Sequence, residues 1–293
     1  MSRQFSHTMR MGQNLLGGLI GFSQILIVFL GYRQPVASVT GRSGGHEWRP
    51  DVSRAAGLWR AFGQEQSHPE VFYRALAQDS AAQVHSYHPL NGAVMVDVGG
   101  GPGFFEDAFT ERGATYIAVD ADAGEMRLHG RTPGGRTVQA SGTELPFPAA
   151  TFDVTYSSNV AEHVADPWRM ADEMVRVTKP GGTVVLSYTL WWGPWGGHET
   201  APWHYLGGHR AARRYRRVRG HDPKNYFGTS LFPVTAAAGM RWARQHPDVD
   251  LIAAVPRYLP DWSRWILRVP LIGEVFSWNL LLVLRRRNPR SLE

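Results

Sequence analysis

The chain of 293 residues contains no cysteine. Disulfide bonds, thiolate nucleophiles and cysteine-ligated metal sites are therefore excluded. Its 12 histidines include no HExxH motif, which is the spacing typical of a zinc site built on one helix. From these absences we expect no metal site, and the absence of cysteine alone does not distinguish one cellular compartment from another.

Acidic residues are outnumbered by basic ones, with 25 Asp and Glu against 31 Lys and Arg, a net charge of +6 and a pI near 9.8. Excess basicity favours anionic partners such as nucleic acid or an anionic lipid surface. Six arginines are concentrated between Arg210 and Arg219, close to several tryptophans. We therefore rank nucleic acid below a membrane surface as a partner, and a solvated helix face is the alternative interpretation of the arginines.

Glycine is concentrated in the segment VDVGGGPGFF, residues 96–105. The segment predicts a strand that runs into a tight turn and then a helix, because Gly99, Gly101 and Gly103 permit positive φ and bring bare backbone close to a ligand. Asp120 ends the next predicted strand, where a carboxylate can accept hydrogen bonds from two ribose hydroxyls. Together these features predict a site for a nucleoside cofactor.

The spacing of the glycines distinguishes two kinds of cofactor. Dinucleotide sites favour GxGxxG, whose third glycine lets the helix pack closely. Phe104 or Glu106 occupies that third position here, depending on the frame. The spacing therefore disfavours a nicotinamide dehydrogenase. A second alternative is that the segment is an ordinary turn between a strand and a helix, with no cofactor.

Short strands alternate with helices after the glycine turn, which predicts an α/β fold with a parallel sheet covered on both faces. The clearest predicted helix has Asp166 as N-cap and Pro167 at its first position, and it ends near Lys179. The predicted strands after the turn are TYIAVD, RTVQA, TFDVTYSS, TVVLSYT, DLIAAVPRY and SWNLLLVLRR.

The GxGxG turn preceded by Asp97 resembles motif I of the class I S-adenosylmethionine-dependent methyltransferases. The resemblance extends over roughly residues 92–189, and it is closest to the ubiquinone/menaquinone-type (type 11) group and its uncharacterised actinobacterial members. It is carried by the segments YIAVDADAGEM, SGTELPFPAATFDVTYSSNVAEHV and MVRVTKPGGTVVLSY. It implies a Rossmann-like sheet of seven mostly parallel strands with the last one antiparallel, and S-adenosylmethionine as cofactor.

The same resemblance implies the cofactor-binding residues. It places Asp97 and the glycines around the methionine moiety, Asp120 on the ribose and Ala121 beside the adenine. Where many relatives have an aspartate for the adenine amino group, this chain has Ser141, a weaker neutral acceptor. The full predicted set is Asp97, Gly99, Gly100, Gly101, Gly103, Asp120, Ala121, Ser141, Gly142 and Asn159.

Three residues are candidates for a general base. His163 lies in the NVAEHV block, and His198 with Glu199 lies in a glycine-flanked loop after the fifth strand. Imidazole titrates near neutral pH and is the commonest general base. A purely structural role for each histidine is the alternative.

Composition and the family resemblance together divide the chain into five parts. We expect an apolar segment and linker over 1–45, a helical cap over 46–91, the cofactor-binding core over 92–189, an insertion over 190–230 and a C-terminal part over 231–293 that completes the sheet. The insertion after the fifth strand is rich in tryptophan, tyrosine and arginine, which suits an amphipathic ligand with an anionic head.

The first part contains an uncharged stretch over residues 11–32. A membrane anchor, a signal peptide and a start codon placed too far upstream are three interpretations, and a membrane-associated segment is the one we favour. We therefore expect a cytoplasmic enzyme at the inner face of the membrane that methylates a hydrophobic, anionic lipid or isoprenoid-like acceptor. A catalytically silent accessory protein of envelope lipid assembly is the alternative.

Overall fold

A seven-stranded sheet forms the centre of the computed structural model, which describes residues 48–64, 68–124, 126 and 136–288. The uncharged N-terminal stretch lies outside these ranges. The strands are β1 (Val94–Val98), β2 (Thr115–Asp120), β3 (Thr137–Gln139), β4 (Phe152–Ser158), β5 (Thr178–Thr189), β6 (Val249–Pro256) and β7 (Asn279–Arg286).

The strand order is β3-β2-β1-β4-β5-β7-β6. The first five strands are parallel to their neighbours, whereas β7 is antiparallel to both β5 and β6 and lies between them. This order confirms the predicted Rossmann-like sheet with an antiparallel last strand.

Seven α-helices surround the sheet in the described ranges. They are α1 (Val52–Phe62), α2 (Pro69–Tyr87), α3 (Glu106–Thr110), α4 (Pro167–Val177), α5 (Gly208–Arg219), α6 (Ala236–Gln245) and α7 (Ile272–Phe276). Short 3₁₀ helices span Ala161–His163, His198–Thr200, Trp203–Leu206 and Asp261–Arg268. None of the helices in the described part of the chain is both long and apolar enough to cross a membrane.

Two apolar clusters, one on each face of the sheet, form the core. Met170 and Met174 of α4 pack in the first cluster, with Val96 of β1. Leu76 of α2 and Met95 of β1 belong to the second. Because successive residues of β1 point to opposite faces and both faces are covered, the strand is apolar almost throughout. The cap helices α1 and α2 thus form part of the same domain core as the sheet.

Two element boundaries differ from the sequence prediction. The helix predicted directly after the glycine turn is only Glu106–Thr110, because the turn conformation extends through Phe105. Strand β5 begins at Thr178, immediately after α4, and not at Thr183 as predicted. Its pairing with β4 shifts register between Phe152 and Val154, which accommodates Lys179 to Gly182 as a bulge.

The predicted N-cap of α4 is present, since the Asp166 side chain accepts a hydrogen bond from the Arg169 amide at 3.1 Å. We expect Asp166→Ala to lower the free energy of unfolding by about 1 kcal/mol, because it removes the partner of that amide. Urea unfolding measures the change. Asp166→Asn, which keeps an acceptor oxygen, should cost far less, and equal losses in the two variants would contradict the capping role.

Candidate active site

The glycine turn and Asp120 meet at the carboxyl ends of β1 and β2. The amide of Gly101 donates a hydrogen bond to Asp120 Oδ2 at 3.0 Å, and the amide of Asp122 donates to Oδ1 at 2.9 Å. Ligands of open α/β sheets bind beyond this edge. The structure therefore brings together the two features from which the sequence predicts a cofactor site.

The glycines of the turn have different roles. Gly99 has φ +80°, and a Cβ there would lie 2.3 Å from the Val160 side chain, so this glycine is required by packing. Gly101 has φ +50°, and the nearest heavy atom to a Cβ there is Asp120 Oδ2 at 4.0 Å. Gly101 thus faces open space beside the carboxylate, which is the space that a nucleoside bound to Asp120 would occupy.

Asp97 is buried beneath the turn, with 2% of its surface exposed. Its Oδ2 accepts a hydrogen bond from the Tyr116 hydroxyl at 2.5 Å. Burial, and to a lesser degree the charge of Asp120, raises the pKa of Asp97 to about 7, although the Tyr116 hydrogen bond opposes the shift. A Cβ on Gly100 would lie 3.4 Å from the carboxyl carbon of Asp97. A cationic ligand group near this carboxyl would favour its ionised form.

The residues predicted beside the adenine lie on the loops that follow β2 and β3. The carbonyl of Ala121 accepts a hydrogen bond from Gln139 at 3.3 Å. The Ser141 hydroxyl lies 2.8 Å from that of Thr143 and accepts the Thr143 amide at 3.2 Å. A Cβ on Gly142 would lie 3.0 Å from the Val98 and Met170 side chains. Gly142 therefore packs against the end of β1, next to the glycine turn.

Asn159 follows β4 and adopts a φ of +57°. Its Oδ1 accepts a hydrogen bond from Asn279 Nδ2 at 2.6 Å, and its own Nδ2 donates to the Tyr258 hydroxyl at 3.4 Å. Positive φ at a residue other than glycine is uncommon and often marks a functional site. Asn159 is thus held by partners from β7 and from the segment after β6, which sequence reasoning had not connected to the site.

Arg257, which sequence reasoning also missed, lies directly after β6 and is fully buried. No carboxylate among the described residues forms an ion pair with it, and its Nε has no hydrogen-bond partner there. Buried arginines are ordinarily paired with a counter-charge. The feature of the sequence that could have indicated a role for Arg257 is its position at the carboxyl end of a predicted strand, where ligands of such sheets bind. Its guanidinium donates to the hydroxyls of Ser80, Tyr156, Ser158 and Ser187.

The two histidines predicted as candidate bases are in contact, with ring centroids 4.9 Å apart. His163 Nδ1 lies 2.8 Å from the Ser230 carbonyl oxygen, so the hydrogen bond places a proton on that nitrogen. Burial lowers the pKa of His198 to about 4, which keeps this imidazole neutral.

Glu199 lies on the surface, where its carboxylate accepts a hydrogen bond from Asn225 at 2.9 Å. The carboxylate within reach of both imidazoles is that of Glu162, which is 1% exposed. Its Oε1 accepts the Thr189 amide at 3.0 Å. Glu162 immediately precedes His163, and sequence reasoning passed over it because neighbouring residues rarely point to the same site.

Seven aromatic rings form a continuous wall from the glycine turn to the insertion. Neighbouring rings are in contact, from Phe104 stacked on Tyr73 with centroids 4.5 Å apart to Trp195 and Trp278 at 4.7 Å. Every ring except that of Phe72 is half-buried. We call Trp59, Phe62, Phe72, Tyr73, Phe104, Trp195 and Trp278 the aromatic wall.

The strand order, together with a glycine turn that faces an acidic residue at the end of β2, defines the Rossmann-like methyltransferase fold. A family model described as a methyltransferase domain matches residues 96–186. An uncharacterized methyltransferase of Mycolicibacterium gilvum is 51% identical over 248 residues, which cover 81% of this chain and 96% of that protein. One of Mycobacterium leprae (strain TN) is 48% identical over 249 residues, which cover 82% and 91%.

The chain belongs to this family of mycobacterial methyltransferases, and its cofactor is S-adenosylmethionine. This result excludes the nicotinamide dehydrogenases. Among solved structures, an S-adenosylmethionine-dependent methyltransferase from Mesorhizobium loti aligns with a TM-score of 0.49 at 19% identity, over 72% of this chain and 98% of that one.

Proposed function

We propose that this enzyme transfers the methyl group of S-adenosylmethionine to a hydrophobic acceptor that carries an anionic group, such as a lipid or isoprenoid, at the cytoplasmic face of the membrane. The observation that carries the proposal is the aromatic wall, because it begins at Phe104 in the cofactor turn and continues to Trp195 in the insertion. A long apolar molecule could lie along these rings while its reactive end reaches the cofactor.

Positive charge close to exposed aromatic rings supports the anionic part of the proposal. The guanidinium of Arg214 lies 3.9 Å from the ring centroid of Trp203, and 41% of the Trp203 surface is exposed. A cleft of about 610 Å³ at the start of α5 is lined by Leu206 and Phe227 together with Arg210 and Arg213. Apolar and guanidinium groups in one surface suit anionic headgroups beside acyl chains.

We propose the cofactor contacts that the family resemblance implies, and the closeness of Asp120 to the glycine turn supports them. Asp120 would accept the ribose hydroxyls, and Asp97 with Gly99, Gly100, Gly101 and Gly103 would surround the methionine moiety. Ala121, Ser141 and Gly142 would contact the adenine, and Asn159 would face the cofactor from the end of β4. When bound, the sulfonium is already an activated electrophile, so the protein's main contribution is to align the acceptor, worth roughly 7–11 kcal/mol of barrier lowering.

Labelled cofactor and extracted lipid test the proposed acceptor. The purified enzyme is incubated with methyl-labelled S-adenosylmethionine and total lipid from a strain that lacks the gene. We expect label in the lipid fraction, and mass spectrometry should show one added methylene in a species that accumulates in the deletion strain. An Asp120→Ala enzyme is the control. Label that reaches only a water-soluble acceptor would reject a lipid as the substrate.

Trp195→Ala should separate acceptor binding from cofactor binding. We expect kcat/KM for the acceptor to fall about tenfold or more, because the acceptor would lose apolar contact with a large ring, and complete burial of such contact is worth roughly 1.5–3 kcal/mol. The dissociation constant for S-adenosylmethionine should stay within twofold. Trp262→Ala, at an exposed tryptophan outside the aromatic wall, is the matched control. The assignment fails if both variants lose the same activity.

A further inference from the structure

Glu162, His163 and His198 form a compact group of potential metal ligands, which we call the histidine–carboxylate cluster. One oxygen or nitrogen from each side chain lies within 4.8 Å of the other two. Two imidazoles and a carboxylate are a donor set that binds divalent transition metals such as zinc and iron. The geometry is therefore suitable for chelation of a single cation.

Unused donor atoms point to a missing ligand. Glu162 Oε2 and His198 Nε2 are both buried, and neither has a hydrogen-bond partner in the described part of the chain. No lysine or arginine in those ranges forms an ion pair with Glu162. A buried carboxylate oxygen without a partner costs several kcal/mol in desolvation, and a bound cation would remove that cost. The two orphaned atoms thus belong to two of the three side chains that offer ligand atoms within 4.8 Å of one another.

Hydrogen bonds with neighbouring backbone groups hold the cluster side chains in the way that metal ligands are commonly held. His163 donates from Nδ1 to the Ser230 carbonyl, which leaves Nε2 with a free lone pair. Glu162 is oriented by the Thr189 amide through Oε1. Metal-binding histidines commonly donate their other ring nitrogen to a carbonyl in this way. His198 also has a φ of +48°, a strained conformation of the kind that persists at functional sites.

We propose that the histidine–carboxylate cluster binds one divalent transition-metal cation of the zinc class. Three protein ligands leave at least one coordination position open, as in catalytic rather than structural zinc sites. Glu162 and His163 follow β4 and His198 lies in the insertion, so the cation would join the insertion to the sheet. The site shares no residue with the proposed cofactor contacts, and it does not depend on a lipid acceptor.

This proposal departs from the sequence expectation of no metal. That expectation considered ligands close together on one helix. His198 is supplied by a loop far along the chain from His163, and only the fold brings the two rings together. If the cluster binds a metal, the two histidines are ligands and are not available as free general bases.

Cobalt and zinc binding to the full-length protein test the proposal. After treatment with EDTA and dialysis, addition of Co²⁺ should produce visible absorption bands that saturate at one equivalent, and Zn²⁺ should displace them. Zinc should also raise the melting temperature. In His198→Ala and Glu162→Gln the metal affinity should fall by at least roughly 100-fold, since each removes a direct ligand.

His221→Ala is the matched control, because this histidine is exposed, hydrogen-bonds the Asp222 carbonyl and packs against the Tyr215 ring, away from the cluster residues. It should bind cobalt like the wild type. Retained S-adenosylmethionine binding, measured by calorimetry, shows that the ligand variants are folded. The proposal is overturned if the wild type gives no saturable cobalt spectrum, or if its zinc affinity equals that of His198→Ala.

Discussion

Asp120→Ala is expected to weaken S-adenosylmethionine binding by at least about 100-fold. The substitution would remove the acceptor of hydrogen bonds from two ribose hydroxyls, each worth roughly 1.5–3 kcal/mol when the acceptor is charged. It would also release the Gly101 amide, which now donates to Oδ2 at 3.0 Å and fixes the turn. Isothermal titration calorimetry measures the change. The variant therefore tests directly whether Asp120 contacts the ribose.

Two control variants show whether the loss of cofactor affinity is specific to the Asp120 carboxylate. Asp122→Ala removes a nearby exposed carboxylate and should leave affinity within about threefold, because any long-range attraction at the surface is screened. Asp120→Asn keeps the size of the side chain and should fall between wild type and alanine. An Asp120→Ala protein that binds the cofactor as tightly as the wild type would remove Asp120 from the site.

Gly101→Arg tests the open space next to Asp120. A side chain at this position would enter the volume assigned to the cofactor, and positive φ adds strain. We expect no measurable cofactor binding and no methyl transfer, with near-native secondary structure by circular dichroism. Methyl transfer retained by this variant would show that the cofactor lies elsewhere.

Asp97→Asn is expected to stabilise the protein without cofactor at pH 8 while it weakens cofactor binding. The pKa of Asp97 rises from 3.8 to about 7 on folding, chiefly because of burial. The stability associated with its protonated form is therefore complete below pH 4 and is lost as pH rises through 7. A shift of this size corresponds to roughly 4 kcal/mol above pH 7, and asparagine avoids that cost because it does not ionise.

Urea unfolding at several pH values provides the first measurement. The variant should be little different from wild type at pH 4, and its advantage should grow up to pH 7 and then level off. If the wild type proves more stable at pH 8, burial of Asp97 does not disfavour its charge as we infer.

Cofactor binding provides the second measurement. The ammonium and sulfonium of S-adenosylmethionine are cationic and favour ionised Asp97, so wild-type affinity should rise by up to about tenfold between pH 6 and pH 8. Asp97→Asn should bind more weakly at both values and with a flatter pH profile. Parallel profiles for the two proteins would exclude Asp97 as the titrating group.

Local patterns in the sequence predict the sheet and the cofactor turn because each depends on short-range rules. Alternating strands and helices indicate the fold, Asp166 and Pro167 mark the start of α4, and glycines mark the turn. The pairing of Asp120 with this turn follows from the topology of parallel strands alone. The sheet and the cofactor turn can therefore be predicted without knowing which distant side chains are in contact.

Other parts of the site depend on contacts between distant segments, which one sequence does not reveal. Arg257 is held by hydroxyls from α2, β4 and β5, and its segment reads as an ordinary strand end. Glu199 looks as suitable as Glu162 by sequence, and only the fold shows which one meets the histidines. The aromatic wall likewise draws rings from five separate segments, whereas aromatic residues in a sequence usually indicate core packing.

The position of β7 affects how the protein is made. Of the seven strands of the sheet this one is synthesised last, yet it lies between β5 and β6 and pairs with both. Until the ribosome has produced β7, the outer edge of β5 has no pairing strand, and β6 has no strand to pair with. Unpaired edges invite aggregation and chaperone binding, so a chain interrupted before Asn279 is left with a sheet of five strands that it cannot finish.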